Sequence, residues 1–260
     1  MVKKAIIVLR QPGAEPLSLG RVVTPEFWLL HDRPLIEHLV DEVIEAGAEE
    51  IFFVGPSGKK GVCEYFNRAD GLEDASGDLR RFVQCYQSKK FNFVNENGSF
   101  GPSLSKLISK IKDEPVALSW ADDFWVAPES PFMQLARVFH TSNQTVLGLA
   151  DDSRGVDLSL SLDKIADRIY RVKEAQEGKQ DQDELFLSGR AIITLEFWKM
   201  FSDVKREIKE DNLDFNKVLS AMVAEGKPVY GYQLKGLRFD LNDRAGWLAA
   251  GKSLAHQDNE

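Results

Sequence analysis

The sequence runs to 260 residues, enough for one large α/β domain or two small ones. Its hydrophobic content of 43% supports a real core, and its net charge of −8 argues against nucleic acid or an anionic membrane as partner, since both ask for clustered Lys and Arg. Cys63 and Cys85 are too few for a disulfide scaffold or a Cys-rich metal site, and with no run of about 18 apolar residues and no leading signal segment the expectation is a cytoplasmic protein.

Lys4 to Leu9 is a short apolar run that reads as a strand, followed by the turn-rich loop Arg10 to Pro16. Asp32-Arg33-Pro34 then opens a helix whose apolar positions, Leu35, Ile36, Leu39, Val40, Val43 and Ile44, form one stripe that Gly47 ends. Ile51 to Val54 is a second buried strand, closed by Gly55-Pro56. This βαβ unit implies parallel strands and a right-handed crossover. A helix is expected from Ser103 to Ile111, a strand from Pro115 to Trp120, a helix from Pro131 to Phe139, and a strand from Thr145 to Leu149.

Beyond Asp151 the pattern is less regular. Short alternating segments fill 151–188, and the polar stretch Glu174 to Glu184 reads as a loop. Ala191-Ile192-Ile193 begins a strand-to-helix passage, Leu213 to Val223 reads as helix, and Val229 to Leu234 as strand. Arg244 to Leu254 closes the chain as a helix, with His256 to Glu260 as a frayed tail. No boundary forces two domains, so a single domain over 1–260 is expected.

Several segments together resemble a known family. Lys3-Lys4-Ala5-Ile6-Ile7, Asp32-Arg33-Pro34-Leu35-Ile36, Glu42 to Gly47 and Glu50-Ile51 are similar to the opening of bacterial UTP–glucose-1-phosphate uridylyltransferases. Asp122 falls at that family's Pro-Asp metal-binding turn, Ser188-Gly189-Arg190 resembles its Val-Gly-Arg strand start, and Asp240 stands at its late Asp-x-Gly. The resemblance covers nearly the whole chain in patches, with a shortened central segment. It implies a Rossmann-like nucleotidyltransferase fold of class α/β, with a central, mainly parallel but mixed sheet and helices on both faces. It also implies Mg²⁺ and UTP: glucose 1-phosphate attacks the α-phosphate and pyrophosphate leaves, a reaction that needs positive charge around the triphosphate.

The loop that should carry this charge departs from the family. Its second glycine is kept as Gly13, but its threonine is Ala14, its arginine is Glu15, and its Pro-Lys is Thr24-Pro25. A carboxylate repels a triphosphate, and Pro12 removes a backbone donor. Arg10 and Arg21 are the candidate replacement phosphate cations. Asp122 and Asp240 retain the two carboxylates of the implied Mg²⁺ site. They are 118 positions apart, so only the resemblance brings them together, and from sequence alone each reads first as an ordinary strand-end acid. Asn242 replaces the glycine after Asp240. The substrate-binding positions that survive are Gly13, Gly101 of the base-recognition turn, Glu174 of the sugar clamp (whose lysine is now Ala175), and Gly189.

Other signals carry less. Gly55 to Lys60 is not a P-loop, because neither its glycine spacing nor the residue after its lysine fits. The four histidines show no metal spacing, and no serine or cysteine stands in a nucleophile context. Two functions stay open. One is a catalytically impaired relative that binds a nucleotide or nucleotide-sugar and acts as a homo-oligomer or in a hetero-oligomer with an active relative. The other is an active sugar-1-phosphate nucleotidyltransferase with a rebuilt phosphate loop.

Overall fold

A computed structural model describes residues 2–11, 20, 22–68, 77–95, 100–111, 114–151, 158–178, 185–209 and 212–257. Gly13, Ala14, Glu15 and Arg21 lie outside these residues. In chain order the elements are β1 (Lys4–Val8), β2 (Leu29–Leu30), β3 (Arg33–Pro34), α1 (Leu35–Glu45), β4 (Glu50–Gly55), α2 (Gly61–Asn67), α3 (Asp78–Tyr86) and β5 (Lys90–Asn95). They continue with α4 (Phe100–Ile111), β6 (Val116–Trp120), β7 (Asp123–Val126), α5 (Pro131–Ser142), β8 (Thr145–Ala150), β9 (Leu158–Ala166), β10 (Ile169–Glu177) and β11 (Phe186–Ile193). The last are α6 (Leu195–Glu207), α7 (Phe215–Ala224), β12 (Val229–Gln233), β13 (Leu237–Asp240) and α8 (Arg244–Gln257).

The large sheet has the order β5-β4-β1-β6-β11-β8-β12-β10-β9. β1 lies between β4 and β6 and is parallel to both, as its apolar run implies; β5 is parallel to β4, and β12 to β8. β11 runs antiparallel between β6 and β8, and β10 and β9 extend the sheet antiparallel beyond β12. Alternate residues of β1 serve opposite faces. Ala5 and Ile7 pack with Leu39 and Val43 of α1, Phe66 of α2 and Phe132 of α5. Ile6 and Val8 pack with Leu104 and Leu107 of α4, Phe197 of α6 and Leu219 of α7. The result is the mixed, mainly parallel sheet with helices on both faces.

Several boundaries differ from expectation; β11, for one, begins at Phe186 rather than at Ala191. β10 runs to Glu177, so the polar stretch that reads as a loop from Glu174 is strand in its first four residues. The polar reading fails because β10 buries few side chains, among them Val172 and Ala175, and is held by its ladder with β9. α4 begins at Phe100, one turn early, with Pro102 in the first turn, where a missing N–H is harmless. His256 and Gln257 belong to α8 rather than to a tail.

β7 and β13 form a separate two-stranded antiparallel ribbon, with Asp240 opposite Asp123. It sits at the carboxyl ends of β1 and β6, joined through Ala121 N–H to Val8 O at 2.9 Å. Open α/β sheets place their ligands at such ends.

Candidate functional site

The site is assembled where β1, β6, the β7–β13 ribbon and the turn after β4 meet. β6 ends at Trp120, and Asp122 occupies the tight turn into β7. β13 ends at Asp240, and the chain turns through Leu241, Asn242 and Asp243 into α8. Leu241 N–H donates to Asp122 O at 2.9 Å. Asn242 then bridges the two acids. Its backbone N–H donates to Asp240 Oδ1 at 2.8 Å and its Nδ2 to Asp122 Oδ2 at 3.0 Å. Both candidate metal carboxylates are thus bound to the same residue.

Arg10 completes the cluster from the end of β1. Its guanidinium Nη2 donates to Leu241 O at 2.7 Å and to Asn242 Oδ1 at 2.8 Å, and the residue is 5% exposed. Its backbone N–H donates to Glu26 Oε1 at 2.9 Å. Glu26, fully buried in the turn Pro25–Phe27, also accepts from Lys59 Nζ at 2.8 and 3.0 Å and from the Thr24 hydroxyl. Lys59 comes from the turn after β4, within the segment that fails as a P-loop. Glu26 therefore fastens the start of the first loop, its return segment and the end of β4 to one another.

A second layer supports the ribbon. Asp123 of β7 accepts from Arg238 Nε at 3.1 Å on each oxygen and from Arg238 Nη2 at 2.9 Å. It also accepts from Gly189 N–H of β11. A Cβ at Gly189 would lie 2.6 Å from Asp123 Cβ, so only glycine lets the strand approach this closely. The next residue, Arg190, is fully buried and donates Nε to Glu42 Oε1 at 2.7 Å and Nη2 to Glu42 Oε2 at 2.9 Å. This bidentate pair locks β11 to α1. Burial pushes the Glu42 carboxyl above its ordinary value even beside Arg190.

The sequence candidates thus divide. Asp122, Asp240 and Arg10 come together through Asn242. Gly189 lies beside them, against Asp123. Gly101 is buried in the first turn of α4, and Glu174 is exposed in β10 opposite Ser161; no hydrogen bond or ion pair among the described residues ties either to the cluster. Glu26, Lys59, Asp123 and Arg238 are not among the site candidates of the sequence, and the pairs Glu26–Lys59 and Asp123–Arg238 join distant parts of the chain. The Gly-Lys-Lys turn at a strand end was the available signal for Lys59.

Asp122 and Asp240 each use one oxygen on Asn242, which leaves the other to a hard cation. Among the described residues no group of three or more His, Cys, Asp or Glu could hold a metal ion. Two carboxylates nevertheless fit Mg²⁺, which takes one or two from a protein and fills its shell with water and phosphate oxygens.

No family model matches the chain. Among curated proteins, the UTP–glucose-1-phosphate uridylyltransferase of Staphylococcus haemolyticus (strain JCSC1435) is 25% identical, with 99% of this chain and 93% of that protein covered. The UTP–glucose-1-phosphate uridylyltransferase YngB of Bacillus subtilis (strain 168) is 21% identical, with 97% and 89% covered. Over nearly its whole length the chain is thus similar, at low identity, to UTP–glucose-1-phosphate uridylyltransferases. Solved structures give the same fold. A UDP-glucose pyrophosphorylase complexed with UDP-glucose superposes with a TM-score of 0.80 at 21% identity, covering 99% of this chain and 100% of that one. A UTP-bound UGPase from Acinetobacter baumannii does so with a TM-score of 0.80 at 19% identity, covering 99% and 94%. No described helix is long and apolar enough to cross a membrane.

Proposed function

We propose that this protein binds a uridine nucleotide or nucleotide-sugar, with Mg²⁺, at the cluster of Asp122, Asp240, Asn242 and Arg10, and that its uridylyl transfer is weak or absent. It acts as one domain over 1–260, as a homo-oligomer or beside an active relative. The observation that supports weak transfer is the commitment of Arg10. This candidate phosphate cation is buried and directed at Leu241 O and Asn242 Oδ1, so it holds the ribbon in place. The carboxylate of Glu15, where the family has its arginine, works in the same direction. Losing a transition-state cation of the arginine-finger kind lowers rate by about 10³–10⁵.

Asp122 and Asp240 would hold the metal ion, which when bound neutralises phosphate charge. Asn242 orients both acids by donating to each, and Arg10 fixes Asn242 by donating to its carbonyl. Melting curves of the whole protein with UTP or UDP-glucose, each with and without Mg²⁺, test binding. Pyrophosphate release from UTP and glucose 1-phosphate tests transfer, beside an Ala14→Thr, Glu15→Arg variant that should gain activity. Turnover of the unmodified protein at about 1–10³ s⁻¹ overturns the impaired reading in favour of an active enzyme with a rebuilt loop.

A further inference from the structure

The β7–β13 ribbon carries Asp122 and Asp240 together at one end, yet among the described residues it pairs with no strand of the large sheet. Its attachment near these acids depends on individual contacts, chief among them Asp123. That carboxylate is buried, lies directly opposite Asp240 in the ribbon, and takes the N–H of Gly189 from β11. Carboxylates placed directly opposite each other across a strand pair repel. Arg238 resolves the conflict, with its Nε shared between both oxygens of Asp123 and its Nη2 on one of them. Asp240 is left to Asn242. Arg238 and Asp240 are two residues apart on one strand and so project from the same face.

We propose that Arg238 and Asp123 are positioning residues that set the separation and orientation of Asp122 and Asp240, and thereby govern how tightly the protein takes a divalent cation together with its nucleotide. This rests on the nucleotide-binding reading given above. Arg238 neutralises the acid that would otherwise repel Asp240, and Asp123 bolts the ribbon to β11. Both act through the carboxylates; neither needs to touch the cation.

The test is calorimetric titration of the full chain with UTP, in EDTA and in Mg²⁺, so that the metal-dependent gain in affinity is read separately from metal-free affinity. Arg238→Met and Asp123→Asn should each reduce that gain by about 10–100-fold, the usual effect of removing a partner that orients a metal ligand. Metal-free affinity should move less, and Arg238→Lys should recover part of the gain. Gly189→Ala gives a second route, since its Cβ displaces Asp123 and leaves every charge in place. It should lower the gain in the same way, and it carries the test if Arg238→Met does not fold. A gain that survives Arg238→Met or Gly189→Ala overturns the proposal, as does an equal loss of metal-free and metal-dependent affinity. If the unmodified protein binds no UTP, or binds it without any help from Mg²⁺, the site reading itself fails and takes this inference with it.

Discussion

Truncating Glu42 to alanine should be among the most damaging single changes in the core. Arg190 has no exposed surface, and two of its guanidinium nitrogens lie at 2.7 and 2.9 Å from the Glu42 carboxylate. Its Nη1 reaches Gly189 O at 2.9 Å and Trp120 O at 3.3 Å. Removing the carboxylate leaves the cation with carbonyl dipoles, the Phe132 ring and the Asp123 carboxylate but without its ion-pair partner, and breaking a buried pair in this way costs about 3–5 kcal/mol. At about 2–4 °C per kcal/mol for a chain of this size, the melting temperature should fall by about 6–20 °C. Scanning calorimetry reads the shift, and urea unfolding gives the free energy independently. The double variant Glu42→Leu, Arg190→Met should recover most of the loss, because a well-packed apolar pair can replace a buried ion pair at little cost. A fall under about 4 °C for Glu42→Ala, or a double variant less stable than the single, would refute the reasoning.

Other variants test other parts of the molecule. Burial, with Arg33 nearby, lowers the His38 pKa from its ordinary 6.5 to about 4. The unfolded chain therefore binds the extra proton between those values. Stability held above pH 6.5 should be lost as pH falls toward 4, by about 3 kcal/mol at most, and His38→Gln should flatten that slope in urea titrations. A Cβ at Gly246 would lie 1.8 Å from Asp240 O, so Gly246→Ala should lower stability by about 1–3 kcal/mol, whereas Gly58→Ala, which meets nothing within 4 Å, should leave the melting temperature unchanged. Glu26→Ala breaks the buried ion pair with Lys59 and should lower stability by about 3–5 kcal/mol, with Lys59→Met restoring much of it; an unchanged melting curve would remove Glu26 as the fastening of the first loop.

The parallel half of the sheet was legible because its strands are buried on both faces. Lys4 to Leu9 and Ile51 to Val54 are continuous apolar runs, and the helix between them shows one clean stripe. β10 was not legible for the opposite reason. Its exposed residues, Lys173, Glu174, Gln176 and Glu177, are polar, and a ladder of backbone bonds leaves no trace in composition. The site was legible only in part. Asp122 and Asp240 could be named from resemblance, but nothing in either local sequence says that Asn242 donates to both. The Glu42–Arg190 pair spans 148 positions; each residue falls in a segment that carries the resemblance, yet neither segment says that the two meet. Side-chain partnerships of this range are a property of the topology, which periodicity does not encode.

The order of the strands along the chain also sets when binding competence can arise during synthesis. β5, β4, β1 and β6 all belong to the first 120 residues, so four of the nine strands of the sheet can zip together while the ribosome is still working. The carbonyl that receives Arg10 lies 231 positions downstream, on Leu241, and the partner strand of β7 begins only at Leu237. Contacts of such separation form late, after the entropy of closing the long loop has been overcome. On the proposed site, a nascent chain with a well-developed hydrophobic interior would therefore still lack the Arg10–Asn242 cluster, and UTP added to a refolding or translation experiment would report on that last event rather than on collapse.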